Sequence, residues 1–251
     1  EYYLVKDRVA FEKEENSQFT LSEAQQNAFD SIKNNLEEFD VSLLHGVTAS
    51  GKTEIYIKLL EEYVQAEKQV LFLLPEIALT TQLVQRLTAY FGNEVAVFHS
   101  KYTNNERIEV WNQVLENSPK AKVVIGVRSA LFLPFSNLGC IIVDEEHEQT
   151  YKQTDPAPRY HARDAAIVLA KQHKAKVLLG SATPSLETYY NVQSKKYGLT
   201  ELTIRYGNVV LPEIELIDIK DKYFRKKMTG HFSDVLLEGI SETIANGEQV
   251  I

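Results

Sequence analysis

Short apolar runs recur along the chain, at 41–45, 70–74, 95–98, 123–127, 140–143 and 177–179. Each has the length of a strand, and most are apolar at successive positions instead of alternating with polar ones. A strand that is hydrophobic on both faces belongs inside a parallel sheet covered by helices on each side. Between the runs lie stretches with helical spacing, at 53–67, 77–91, 105–116, 159–172 and 184–197. A further helix is expected over 21–39, capped by Thr20 or Ser22. Repeated strand–helix units predict an α/β fold with a mostly parallel, doubly wound sheet and helices on both faces. Ligands of such sheets gather at the carboxyl ends of the strands.

The pattern is weaker towards the ends. Residues 1–18 are charged and read as the tail of a preceding domain or a linker. Residues 199–205 and 214–219 look β-rich, 220–227 looks like a basic linker, and 232–246 looks like a final helix leading into a strand at 247–251. The expected division is one lobe over 19–219, then a linker and the start of a second lobe over 220–251. A chain that opens on Glu1 and stops as a strand begins is expected to be part of a longer protein.

Composition narrows the class. At 44% hydrophobic and 25% charged residues, the balance is that of a globular protein, and no apolar run is long enough to span a bilayer, so no membrane partner is expected. The single cysteine, Cys140, excludes an internal disulfide framework and a zinc site built from several cysteines, which fits a reducing cytoplasm. The net charge of −8 argues against a domain that holds nucleic acid by its own field alone.

The chemistry begins at residue 46. Gly46-x4-Gly51-Lys52-Thr53 matches the Walker A pattern, and it stands between a strand and a helix as that pattern requires. Glycine lets successive N–H groups of Gly46, Val47, Thr48, Ala49, Ser50 and Gly51 turn inward on an anion. Lys52 is expected to bridge the β- and γ-phosphates of ATP, and the Thr53 hydroxyl to ligate Mg²⁺. A second acidic site follows the run 140–143, where the chain reads Asp144-Glu145-Glu146-His147. Asp144 is expected to hold Mg²⁺ through its water shell, and Glu145 to orient and deprotonate the attacking water. His147 would link this site to another loop.

With both motifs placed, the chain resembles superfamily 2 helicases of the DExH type, and within them the bacterial replication-restart helicases. The strings that carry the resemblance are Leu21-Ser-Glu-Ala-Gln-Gln26, the phosphate loop through Tyr56, Leu73–Thr80, Gly126–Phe132, Asp144–His147, Gly180-Ser-Ala-Thr-Pro-Ser185 and, above all, Glu148–Asp164. His99-Ser100, Glu106-Arg107 and Trp111 follow the same order as in that family. The resemblance implies a RecA-like P-loop NTPase lobe, with Gln25 as the contact to adenine. It implies 3′→5′ helicase activity in replication restart, single-stranded and forked DNA as substrates, and replication-restart proteins and single-strand binding protein as partners. Its setting would be the bacterial cytoplasm. The family's zinc-binding cysteines do not lie in these residues, so no zinc carries over.

Residues 148–164 resemble the aromatic-rich loop that couples DNA to the ATP site in that family. Physical reasoning adds that Tyr151, Tyr160 and His161 offer planar groups on which bases can stack, while Lys152, Arg159 and Arg163 offer charge for phosphates. Tyr160 serves equally well as the start of the next helix. Arg128 suits a DNA phosphate or a nearby acid. The hydroxyls of Ser181 and Thr183 are placed to hydrogen-bond His147 and relay nucleotide state, although Thr183 is also a cap for a helix starting at Pro184. Two other readings compete: a different superfamily 2 DNA translocase, or a module that binds nucleotide without hydrolysing it. The second is pertinent to the isolated chain, which lacks the arginine that a second lobe would bring to the transition state.

Overall fold

A computed structural model of the chain describes residues 19–75, 81–99, 102–205 and 214–250. The first compact unit, within 1–208, is built on a parallel seven-stranded sheet. Its strands are β1 (Val41–Gly46), β2 (Gln69–Leu73), β3 (Val95–Phe98), β4 (Val123–Gly126), β5 (Leu138–Asp144), β6 (Lys176–Ser181) and β7 (Gly198–Leu202). Their order across the sheet is β3-β4-β2-β5-β6-β1-β7. The helices are α1 (Glu23–Glu38), α2 (Lys52–Gln65), α3 (Thr81–Phe91), α4 (Asn104–Leu115), α5 (Ala162–His173) and α6 (Leu186–Gln193).

The doubly apolar runs explain the layers. Successive strand side chains point to opposite faces. Leu44, Phe72, Ile142 and Leu178 pack with α1, α2 and α3, while Leu43, Leu71, Ile141 and Leu179 pack with residues of α4, α5 and α6. Both faces are dry, and the expected doubly wound α/β architecture is the one observed. At about 25 cal/mol per Å² of buried apolar surface, two such layers supply most of the force that holds the unit together.

Local signals account for the helix starts. Ser22 caps α1 in a capping box completed by Gln25, and Thr103 caps α4 in one completed by Glu106. Several expected boundaries move. Helix α5 starts at Ala162 rather than 159, because residues 152–161 fold back on themselves first. Helix α6 spans Leu186–Gln193, shorter than 184–197, and its cap is Ser185 instead of Thr183. The expected helix over 77–91 is present as Thr81–Phe91, with 76–80 outside the described residues. The expectations for 1–18, for Ser100 and for the last part of the 73–80 string also fall outside them.

The second compact unit lies within 209–251. It contains α7 (Ile219–Phe224), a two-stranded hairpin of β8 (Met228–Thr229) and β9 (Phe232–Ser233), and α8 (Asp234–Ala245). Two expectations fail here. Residues 214–218 form no strand, and the basic segment starting at Lys220 is helical, capped by Asp218. Asp234 binds Lys222 at 2.6 Å and Lys227 at 3.3 Å, which holds the helix to the hairpin turn. No helix among the described residues is long and apolar enough to cross a membrane.

Candidate nucleotide site and the adjoining loop

The order β2-β5-β6-β1 sets four strand ends side by side: Leu73, Asp144, Ser181 and Gly46. Every motif expected to act chemically is therefore delivered to one edge of the sheet. The loop after β1 turns into α2 through Gly51, whose φ of 83° lies in the left-handed region. A side chain at Gly51 would also collide with the Gln25 amide, so two constraints require glycine there. Gly46 is similarly closed, since an added Cβ would stand 2.9 Å from the Lys52 side chain.

A cavity of about 360 Å³ opens over this loop, lined by Thr48, Ala49, Ser50, Gly51, Lys52 and Thr53 on one side and by Asp144 and Glu145 on the other. The Lys52 ammonium donates to the Gly46 carbonyl at 3.0 Å and lies 3.8 Å from Glu145 Oε1. The phosphate loop and the acidic strand end thus face one space. Glu54 and Arg86, neither singled out by the sequence, complete the wall as an ion pair of 2.6 Å. Ser50 Oγ is buried in the loop without a protein partner among the described residues.

Asp144 is set by groups from three elements. Tyr56, buried on α2 one turn beyond Lys52, donates its hydroxyl to Asp144 Oδ1 at 2.8 Å. Its path crosses the end of β6, where residue 180 is glycine, and any Cβ there would run into the Tyr56 hydroxyl. Burial pushes the Asp144 carboxyl up to about 6, and the neighbouring Glu145 charge pushes the same way, while Tyr56 and Lys52 oppose the shift. Glu145 itself has φ 47°, a left-handed conformation that a non-glycine residue holds at a cost and that clusters at functional sites. Tyr56 is a residue the sequence reading passed over. Its spacing of four from Lys52 on a helix was the available signal, because that spacing puts both on one face.

His147 lies between the acidic strand end and the loop after β6. Its Nδ1 is 2.8 Å from Ser181 Oγ and 3.7 Å from Glu145 Oε2, and its Nε2 is 3.3 Å from Thr183 Oγ1. The hydrogen bonds expected of Ser181 and Thr183 are therefore present. Thr183 makes this bond without capping α6.

Gln25 is buried. Its Oε1 accepts from the Ser22 amide at 2.9 Å and its Nε2 donates to the Gly51 carbonyl at 3.2 Å. The side chain thus ties α1 to the phosphate loop itself.

The loop after β5 departs from expectation at two residues. Tyr151 was expected to stack on bases, but it is 0% exposed. Its hydroxyl lies 2.6 Å from the Asp144 carbonyl and 3.0 Å from the Leu73 carbonyl, and its ring belongs to the core under the sheet. A ring with no exposed face offers nothing to a base. Arg163 was expected to pair with phosphate, but its guanidinium is 2.8 Å from the fully buried Glu146 and 2.9 Å from Asp164. His161, also expected to stack, is half-buried with its Nδ1 inside the protein, and the other candidates keep exposed area. Lys152 and Arg159 are exposed, Arg128 donates to the Lys152 carbonyl at 3.1 Å, and Tyr160 is half-buried edge-on against the exposed ring of Phe132. Phe132 and Glu146 are further residues that the sequence reading missed.

This geometry agrees with the comparisons. The profile of the DEAD/DEAH box helicase family matches residues 22–192. The chain belongs to that family. It is 44% identical over 233 residues to the replication restart protein PriA of Bacillus subtilis, covering 92% of this chain and 28% of the relative. It is 48% identical to PriA of Haemophilus influenzae over 85% of this chain and 28% of the relative, and 43% identical to that of Rickettsia felis over 96% and 36%. The chain thus spans about a third of the length of these relatives. In fold it is similar to RecG bound to a three-way DNA junction, with a TM-score of 0.53, 22% identity and coverage of 74% of this chain and 24% of that one. The E. coli DExH-box NTPase HrpB gives the same TM-score at 15% identity, covering 74% and 22%. The RecA-like helicase fold expected from the motifs is the one these neighbours share. Among the described residues of this helicase lobe, no three His, Cys, Asp or Glu side chains cluster as a metal cage.

Proposed function

We propose that this chain is the ATP-binding lobe of a 3′→5′ DNA helicase of replication restart, which in the full-length protein hydrolyses ATP to move along single-stranded DNA. The observation that carries the reading is the single cavity that Lys52 and Thr53 line together with Asp144 and Glu145. A cationic, amide-rich loop facing two carboxylates is what a triphosphate with a divalent cation requires.

The residues fit that ligand. Gly46 and Gly51 leave no room for side chains where phosphate oxygens would approach the backbone, and the buried Ser50 hydroxyl has a hydrogen bond to offer. Lys52 would bridge the β- and γ-phosphates, with the amides from Val47 to Thr53 around them. Thr53 and Asp144 would hold Mg²⁺, a hard cation that keeps much of its water and needs few protein oxygens. When bound, Mg²⁺ neutralises charge on the transferring phosphoryl group. Glu145 would orient the attacking water and accept its proton. Its distance from His147, and from His147 to Ser181 and Thr183, supports a relay of nucleotide state to the next loop. Gln25 is buried with both ends of its amide bonded, so it would reach adenine only by giving up its bond to the Gly51 carbonyl.

Nucleic acid would meet the surface formed by Arg128, Lys152, Arg159, Tyr160 and Phe132. Cations there pair with phosphates and an aromatic pair stacks on bases, neither of which depends on sequence. Tyr151 and Arg163 would act from inside the protein. Residues 19–219 would form the first lobe, and 220–251 the linker and start of the second. Substrates would be single-stranded and forked DNA, and the likeness to PriA suggests other restart proteins and single-strand binding protein as partners in a bacterial cytoplasm.

The test is ATP turnover by the full-length protein with and without forked DNA, with Lys52→Ala beside it. The reading expects DNA-stimulated turnover that Lys52→Ala lowers by about 10²-fold or more. Equal turnover with and without DNA, or an active Lys52→Ala protein, would overturn it.

A further inference from the structure

Tyr56 carries a polar group into an apolar place. It lies on α2, 1% exposed, in the core cluster that joins α2 to the sheet, with its ring edge-on to Phe72 at 5.5 Å between centroids. Phenylalanine would fill that volume with no hydroxyl to satisfy, so a phenol belongs there only if its O–H has a partner. The partner is Asp144 Oδ1, at 2.8 Å.

The strand beside Asp144 is shaped to let that bond form. Asp144 on β5 stands opposite Gly180 on β6. A Cβ at residue 180 would run into the Tyr56 hydroxyl and stand 2.9 Å from the ring carbon that bears it. Gly180 is not among the glycines with positive φ, so space and not backbone conformation calls for glycine at this point.

The bond also joins the two walls of the nucleotide cavity. Lys52 and Tyr56 are four residues apart on α2, a spacing that puts both on one face of the helix. Lys52 binds the Gly46 carbonyl at 3.0 Å and approaches Glu145 at 3.8 Å, while Tyr56 holds the same helix to Asp144. A hydrogen bond to a carboxylate is stronger than one between neutral groups, and it fixes the direction in which the oxygens point. Groups that orient a metal-holding side chain from behind commonly change metal affinity by about 10–100-fold.

We propose that Tyr56 is a positioning residue which, through the space left at Gly180, sets the rotation of the Asp144 carboxylate so that the cavity takes a divalent cation together with the triphosphate. Tyr56 does not line the cavity, and it acts through Asp144 alone. The inference rests on the proposed binding of ATP with Mg²⁺ at this site.

The experiment uses the full-length protein and measures its affinity for a fluorescent ATP analogue in EDTA and across a Mg²⁺ titration. The wild-type protein tests the functional reading, since absence of Mg²⁺-dependent tightening there overturns both. Given tightening, Tyr56→Phe, which keeps the ring and removes the hydroxyl, is expected to raise the Mg²⁺ concentration for half of the effect about tenfold, with affinity in EDTA within about threefold of wild type. Gly180→Ala, which keeps the phenol and closes its path, carries the same expectation and serves where Tyr56→Phe does not fold. A purely structural role would weaken binding equally with and without Mg²⁺. That parallel loss, or a Mg²⁺ titration equal to wild type in a folded variant, would overturn the inference.

Discussion

The phosphate loop and the loop at 152–161 lie at the same edge of the sheet, yet they are shaped by different means. The first takes its form from its own backbone, from Gly46 and from Gly51 at φ 83°, with Lys52 turned onto the Gly46 carbonyl only six residues away. The second is held by side chains that reach distant elements. Tyr151 reaches the carbonyls of Leu73 and Asp144, and Arg163 reaches Glu146 and, through Ser185, the cap of α6. A site made by local backbone is portable as a string of residues, whereas one made by buried side chains exists only once the core is packed.

The largest way to sharpen that contrast is at the chemical step. Glu145→Gln in the full-length protein is expected to lower turnover by about 10²–10⁴-fold while nucleotide binding, followed with a fluorescent ATP analogue, stays within a few-fold. Undiminished turnover would remove the base assignment. Next comes the buried anchor. Tyr151→Ala should cost about 3–5 kcal/mol in chemical denaturation, the cost of emptying a core aromatic site. A surface platform for bases would cost less than about 0.5 kcal/mol, so a small value would return Tyr151 to the surface.

A pH-dependent effect follows from Asp144. Its carboxyl is raised to about 6 in the folded protein against 3.8 for the ordinary group. The folded state thus favours the protonated form, and that contribution is complete below about 3.8 and lost as pH rises through about 6. Asn mimics the neutral form. Asp144→Asn should therefore be more stable than wild type above pH 6 in metal-free buffer, by on the order of 1–2 kcal/mol, with the difference vanishing near pH 4. Equal melting curves at pH 7.5 would contradict the burial argument. The smallest effect belongs to the exposed face. Lys152→Ala and Arg159→Ala should leave stability within about 0.5 kcal/mol. Each should reduce the slope of log affinity for single-stranded DNA against log salt by about 0.7 per lost phosphate contact. An unchanged slope in both would remove this face from the nucleic-acid path.

The same contrast marks what could be read from the amino-acid sequence. The sheet, its helical layers and the four strand ends were legible, because buried parallel strands are continuous apolar runs and the phosphate loop has a fixed spacing. The 144–147 string was legible as acidic, but nothing in it distinguishes Glu146, fully buried, from Glu145, which faces the cavity. That difference arises when Glu145 takes a left-handed φ and the chain turns over the end of β6. Tyr151 beside Lys152 reads as a surface pair, since a lone aromatic after a strand carries no periodicity to show that it points inward. Arg163 misleads for a related reason: beside the neighbouring Asp164, the buried acid it pairs with, Glu146, lies seventeen residues away. Residues 214–218 are rich in apolar side chains as a strand would be, but they pair with neither β8 nor β9 and form no strand.

The central claim is that the amides and ammonium of the phosphate loop and the carboxylate at the end of β5 serve one nucleotide. A crystal structure of the chain with Mg²⁺ and a non-hydrolysable ATP analogue tests it directly. The account predicts β- and γ-phosphates against Lys52, with the metal between Thr53 and the water shell of Asp144. A triphosphate bound elsewhere, or a metal with no link to either Thr53 or Asp144, would contradict it.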